Sequence, residues 1–155
     1  MITVERVYDM DAIRKIVTAP EVYSHISDDG SAKAEDFTPA DSEQVIYLGV
    51  KKDGDLRGVF AYIPQNAACI EVHTCLTRSL WGHSCEAAKE SVKWIWENTR
   101  FVRIMTNVPT YNRLAMKLAV KAGMKKFGQN PRSFLKGGVL YDLVMMGISK
   151  ESTCH

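Results

Sequence analysis

Residues 69–128 read CIEVHTCLTRSLWGHSCEAAKESVKWIWENTRFVRIMTNVPTYNRLAMKLAVKAGMKKFG. The order is a strand, a glycine-bearing turn, a long helix, a strand, a helix opened by Asn112, a glycine stop and a further strand. In the long helix, Cys85, Ala88, Val92 and Ile95 recur at helical spacing and Trp96 widens the stripe, while Glu86, Lys89, Glu90 and Lys93 face away. In the shorter helix the stripe is Leu114, Ala115, Leu118, Ala119 and Ala122, opposite Lys117 and Lys121. Gly123 is placed for the left-handed conformation at a helix end, with Lys121 complementing the dipole in the last turn. Both helices can cover one sheet. The Trp81-Gly82-His83-Ser84 turn puts free N–H groups at a helix start, where an anion can bind.

Working outward, residues 2–7 read as a strand and 9–17 as a helix opened by Asp9 or Asp11 and ended before Pro20. A short helix over 20–26 leads into the polar stretch 27–42, with Gly30 and Pro39, expected to be a mobile loop. Residues 44–50 and 56–63 form a hairpin around Asp53-Gly54, and 67–76 add a third antiparallel strand. The chain returns as strands over 125–128 and 139–148. This is one domain over 1–150 with a tail over 151–155.

Composition limits the function. The chain has 155 residues, 46% of them hydrophobic, enough for one core burying roughly two thirds of the unfolded surface. Lys plus Arg number 20 against 18 Asp plus Glu, and no block of like charge announces a nucleic-acid or polybasic membrane surface. No apolar run approaches the roughly 20 residues of a membrane span, and an acid in the Met-Ile-Thr-Val-Glu-Arg start argues against a secretory signal. A cytoplasmic protein is expected. Cys69, Cys75, Cys85 and Cys154 have no paired CxxC spacing, so reduced thiols are expected.

Asn112-Arg113-Leu114-Ala115 followed by Lys121-Ala122-Gly123-Met124 resembles the Asn-x-x-Ala and Lys-x-Gly-Phe run of the GNAT superfamily of N-acetyltransferases, with Met in place of Phe. The resemblance spans residues 40–148, and its specific part 70–128. It implies an α+β, three-layer fold: a mixed, mainly antiparallel sheet with helices on both faces. It also implies acetyl transfer from acetyl-CoA to an amine by direct attack in a ternary complex. The family's Arg/Gln-x-x-Gly-x-Gly/Ala turn is altered. One overlay puts Trp81 on the family arginine, Ser84 on a glycine and Glu86 on the last small residue. Another, starting at Ser79, puts Gly82 and Ser84 on the two glycines. Glu86 repels a diphosphate unless it points away. The family's tyrosine acid falls on Ala119, although a thiol of pKa near about 8.5 leaves readily as thiolate.

A base is the remaining need, because an amine of pKa about 10.4 is neutral only about once in 2,500 molecules at pH 7. Cys69, Glu71, His73 and Cys75 alternate on one face of their strand, where the family places its carboxylate base when it has one. Glu71 is expected to be that base, directly or through water, with His73 positioning it or sharing the role. A backbone N–H near Cys75 or Leu76 is expected to hold the oxyanion. Trp81, Gly82, His83 and Ser84 are expected to hold the diphosphate, and the resemblance implies that Asn112 bonds the pantetheine or diphosphate arm. Each residue also has a plainer role: solvent-facing Glu71, structural His73, turn Gly82, helix-capping Asn112.

Cys69, His73 and Cys75 do not make a zinc site, because residues four apart on a strand lie about 13 Å from each other. A Cys75–His73 nucleophilic pair is sterically possible but lacks an orienting third group. The acceptor is expected to be a small-molecule or protein amine. Tyr23, His25, Asp28, Asp29 and Tyr141 are the polar residues expected around it, and acidic Asp28, Asp29, Glu35 and Asp36 favour a cation. A homodimer is compatible with such a fold. A binding or structural role on an eroded GNAT-like fold is the competing reading, since the Glu-x-His-Thr, Gly and Asn-to-Lys-x-Gly arrangement also resembles small phage-encoded relatives, including virion components.

Overall fold

Asp9 starts the first helix by local chemistry: its Oδ1 accepts the N–H groups of Asp11 and Ala12, each at 3.1 Å. These are two of the donors that a helix start leaves unpaired. The structure, a computed structural model, describes residues 1–151, so residues 152–155 of the expected tail, Cys154 among them, lie outside the described residues. Its elements are β1 (Ile2–Arg6), α1 (Met10–Val17), α2 (Pro20–Ile26), β2 (Ile46–Lys52), β3 (Asp55–Pro64), β4 (Cys69–Leu76), α3 (Ser84–Asn98), β5 (Arg103–Pro109), α4 (Arg113–Lys121), β6 (Lys125–Lys136) and β7 (Val139–Ser149). Short 3-10 turns lie at Ala34–Asp36 and Arg78–His83.

The seven strands lie in the order β1-β2-β3-β4-β5-β7-β6. Every neighbouring pair is antiparallel except β4 with β5. Strand alternation sorts the core into two faces. Tyr47, Val59 and Cys75 pack with Ile13, Ile16 and Val17 of α1 and Val22 of α2. Leu48, Phe60, Tyr62, Ile70 and Val72 pack with Ala87, Ala88, Val92 and Ile95 of α3 and Ala119 of α4. The result is the expected three-layer, mainly antiparallel GNAT-like fold, and each fully buried Ile, Leu or Phe on these faces contributes about 1.5–3 kcal/mol over leaving it exposed.

The turn chemistry matches the sequence. Asp53 (φ 52°) and Gly54 (φ 89°) both take the left-handed conformation that a tight β2–β3 reversal needs. Gly123 (φ 99°) ends α4, with its N–H on the Val120 carbonyl at 3.0 Å and the Met124 N–H on the Ala119 carbonyl at 2.9 Å. That is a Schellman closure.

Three expectations are corrected. Residues 27–42 are tied down along their length: Arg14 donates to the Phe37 and Glu35 carbonyls at 2.8 and 2.7 Å, Tyr23 to the Ala32 carbonyl, and Tyr47 to the Ala40 carbonyl at 2.7 Å. The strand expected over 125–128 continues to Lys136, bent at a register shift between Asn130 and Phe134 where Arg132 has φ 50°. Gly137 and Gly138 (φ 61° and 75°) then reverse the chain into β7. On α4, Leu114 is 71% exposed rather than part of the buried stripe.

The tip of the β6–β7 hairpin docks on α2 and the segment after it. Lys136 Nζ donates to the Ser24 and Ser27 carbonyls at 2.6 Å each, placing a cation at the negative end of the helix. Asp29 accepts the Gly137 and Gly138 N–H groups at 2.8 and 2.9 Å. Asp142 accepts the Arg132 N–H at 2.8 Å and the Gln129 amide at 2.7 Å, holding the bend of β6. These bonds hold both carboxyls below their ordinary range, Asp29 through Gly138 and Gly137 and Asp142 through Arg132 and Gln129.

On α3 the buried set includes Ser91, whose Oγ donates to the Ala88 carbonyl at 2.9 Å and so accepts from the Tyr62 hydroxyl, also at 2.9 Å. Ser91→Ala leaves the buried Tyr62 hydroxyl without its partner and is expected to cost about 1–3 kcal/mol. Tyr62→Phe leaves Ser91 bonded to Ala88 and is expected to cost less; urea unfolding of both variants checks the order. The Asp29 and Asp142 bonds contribute fully above the ordinary carboxyl pKa of about 3.9 and are lost as pH falls through the lowered native values. Asp29→Asn with Asp142→Asn is therefore expected to flatten the acid limb of the stability–pH curve below about pH 4, measured by melting temperature across pH.

Candidate active site

The parallel pair β4–β5 is short. Cys69 pairs with Arg103, Ile70 with Ile104 and Glu71 with Met105, and there the ladder ends. One step further, Thr106 Oγ1 donates to the Val72 carbonyl at 3.0 Å, a side chain standing where a main-chain bond would continue. Pro109, without an N–H, closes β5. Main-chain groups alternate along a strand, and the Val72 carbonyl faces β5, so Thr74 and Leu76 face the gap too. The Leu76 carbonyl takes the Trp81 Nε1–H at 3.3 Å. The Thr74 and Leu76 N–H groups stay open to the gap.

The gap pierces the sheet as a cavity of about 620 Å³. On the α1/α2 face its wall is Glu21, Val22, His25 and Ile26 of α2, Glu71 and His73 of β4, and Asn107 of β5. On the α3/α4 face it is Ser84, Cys85 and Ala88 of α3, then Asn112, Leu114, Lys117 and Lys121 on and before α4. Phe134 and Leu143 of the hairpin also line it.

Glu71 sits at the apex, where the two strands part. Its carboxylate accepts the Asn107 amide at 3.0 Å and the Gln65 amide at 3.2 Å, and lies 3.7 Å from His73 Nε2. The side chain is 17% exposed, and that of His73 is 47% exposed. The carboxylate is thus held on two neutral donors with no Lys or Arg ion pair among the described residues, and it faces a cavity that a substrate can enter. That suits proton acceptance.

The remaining predicted residues divide. Leu76, Trp81, Ser84 and Asn112 line the cavity; Gly82 and His83 do not, and neither does Cys75. The Cys75 thiol packs under α1 and α2, its main chain faces β3, and burial pushes the thiol up to about 12, which removes the nucleophilic pair with His73. Residues 78–83 form a 3-10 turn continuous with α3 instead of an open glycine loop. Gly82 has no left-handed φ, and a Cβ there meets nothing within 4 Å, so packing does not require glycine. No side chain caps the α3 start, which follows directly on the 3-10 turn. Glu86 points away from the cavity, 3.9 Å from His83 Nδ1. Asn112 Oδ1 caps α4 through the Ala115 N–H at 3.1 Å, and its Nδ2 makes no hydrogen bond among the described residues. Ala119 is buried and carries no hydroxyl.

Sequence reading missed Asn107, Gln65, Thr106 and Thr74. The signal for the β5 pair was visible: Thr106 and Asn107 interrupt an otherwise apolar strand. Around the acceptor side, Asp29 is spent on the hairpin tip, and Asp28 accepts the Gly30 N–H at 2.9 Å and the Ser31 hydroxyl at 3.2 Å. Tyr23 is buried on Phe37, with ring centroids 5.3 Å apart. Of the polar residues expected there, His25 lines the cavity.

Solved GNAT-fold enzymes share this architecture. A spermidine N-acetyltransferase from Vibrio cholerae, in complex with CoA and spermine, superposes with a TM-score of 0.79 at 14% identity over 96% of this chain and 95% of that one. An acetyltransferase of the GNAT family from Streptococcus pneumoniae gives 0.75 at 16% identity over 97% and 100%. A ribosomal-protein-S5-alanine acetyltransferase from Vibrio fischeri gives 0.76 at 15% identity over 97% and 94%. The chain has the GNAT fold. Residues 6–153 match the family described as "Protein of unknown function (DUF2824)", and the chain belongs to that family. No curated protein matches it. Among the described residues, no group of His, Cys, Asp and Glu is placed to hold a metal, and no helix is long and apolar enough to cross a membrane.

Cys75 is expected to resist iodoacetamide at pH 8 in the native protein and to react on unfolding in urea. Peptide mass spectrometry after brief labelling checks this, with the less buried Cys69 and Cys85 as internal comparison.

Proposed function

We propose that this chain is an N-acetyltransferase that moves an acetyl group from acetyl-CoA to an amine held on the α1/α2 side of the sheet. The observation that carries the reading is the early end of the β4–β5 ladder. It leaves two main-chain N–H groups and a neutrally held carboxylate facing one through-sheet cavity. Acetyl-CoA supplies an activated acyl group and a leaving thiol. The chain offers the Thr74 and Leu76 N–H groups to carbonyl oxygens of the acyl and pantetheine parts, Asn112 Nδ2 to the pantetheine arm, and the uncapped α3 start with Ser84 to the diphosphate. Lys117 and Lys121 line the same side and supply positive charge for phosphate.

Glu71 takes the ammonium proton, directly or through water, while Asn107 and Gln65 keep its oxygens aimed. His73 is a positioning or relay group, since 3.7 Å is beyond a direct hydrogen bond. With Ala119 in place of a hydroxyl, the thiol departs as thiolate, which its pKa of about 8.5 permits.

Acetyl-CoA at about one hundred times its Kd is expected to raise stability by about 2.7 kcal/mol, hence the melting temperature by roughly 5–10 °C. Glu71→Gln is expected to keep that shift while lowering kcat about 10²–10⁴-fold. A folded sample with no melting shift and no calorimetric heat at millimolar acetyl-CoA would refute the proposal.

A further inference from the structure

Four side chains on the cavity wall carry full charge, and they are sorted by face. Glu21 and Glu71 lie on the α1/α2 side, Lys117 and Lys121 on the α3/α4 side. The α1/α2 side adds two imidazoles, His25 and His73, charged only when protonated, and no Lys or Arg. Between these groups the wall is apolar: Val22 and Ile26 of α2, Phe134 and Leu143 of the hairpin. Glu21 accepts the Arg78 N–H at 3.4 Å. The Arg78 guanidinium itself lies over the Trp81 ring, 5.1 Å from its centroid, and makes no ion pair with Glu21 among the described residues. The Glu21 and Arg78 main-chain N–H groups, and then the Arg78 charge, hold the Glu21 carboxyl below its ordinary range; Arg78 is not part of the cavity wall, whereas Glu21 is, so the wall itself carries the negative charge.

Resting on the acetyltransferase reading, we propose that the acceptor is a primary ammonium on an apolar arm, with no carboxylate beside the amine, and that Glu21 is a specificity-determining residue for it. A cation entering this side meets two carboxylates and greasy walls for its chain. An α-amino acid entering the same way brings a carboxylate toward Glu21 and Glu71 on a wall side that carries no Lys or Arg, and like charges at close quarters in a cavity disfavour binding. Of the acids first expected to attract a cation, Asp28, Asp29, Glu35 and Asp36, none lines the cavity, whereas Glu21 does.

The test is a matched pair: n-pentylamine and norleucine, which is pentylamine bearing a carboxylate on the amine carbon. Product is read by mass spectrometry with saturating acetyl-CoA, after cofactor binding has been confirmed by calorimetry. The structure predicts kcat/KM for pentylamine at least about tenfold above norleucine, although norleucine has the less basic amine and starts with more of the neutral form. Glu21→Gln is expected to raise KM for pentylamine about fivefold, with KM for acetyl-CoA unchanged. Bound acetyl-CoA with norleucine preferred, with neither amine acetylated, or with KM indifferent to Glu21→Gln overturns the inference and leaves the cofactor reading standing. Failure to bind acetyl-CoA removes both.

Discussion

The structure depends on a hydrogen bond that replaces a strand pair. Where β5 would add its next main-chain bond to β4, Thr106 Oγ1 reaches the Val72 carbonyl instead. This satisfies the Val72 carbonyl at the point where the two strands separate. Beyond it, the Thr74 and Leu76 N–H groups have no strand to meet. Thr74 is exposed to the gap, so its N–H can be met by a group that enters, and a mostly apolar cavity with a few polar main-chain and side-chain groups is the consequence. Sheet topology thereby creates binding capacity before any particular side chain is considered.

One strand then serves both faces of the domain. Even-numbered residues of β4, Ile70 and Val72, are core for α3 and α4, while odd-numbered Glu71 and His73 look toward α2. A one-residue slip would bury the Glu71 carboxylate under α3 and expose Ile70. The register is pinned from the other side by β3, which pairs with β4 without interruption from Gly58↔Leu76 to Pro64↔Ile70. The alignment of the candidate base and the solidity of the core are the same constraint.

Local chemistry made much of this legible. Asp53-Gly54, Asp9, Asn112 and Gly123 each need only their neighbours to act, and each takes the role its residue type favours. The alternation of 69–76 placed Glu71 and His73 on a shared face, but could not say that Cys75 on that face would be covered by α1 and α2. The misses are nonlocal. Nothing near Asp29 indicates that Gly137 and Gly138, more than a hundred residues on, take both of its oxygens. Ser91, a polar residue on α3, is buried because Tyr62, on another element, gives it a partner. The glycine-bearing turn at 81–84 belongs to a 3-10 turn over 78–83 whose backbone runs on into α3.

The two ends of the cavity are held by different physics. On the α3/α4 side the wall stands on buried apolar contacts among Ala88, Val92 and Ala119, which open only with the fold itself. On the acceptor side, Phe134 is positioned by a hairpin tip whose anchors, Asp29 and Lys136 on main-chain groups, are largely solvent-exposed hydrogen bonds. Such bonds contribute little individually and open at lower free energy than core packing. Opening at the tip would therefore reach Phe134 on the cavity wall before it reached the fork of β4 and β5. On the proposed reading, the sheet fixes where the acyl donor fits and what removes the proton, while the hairpin tip borders the side assigned to the acceptor.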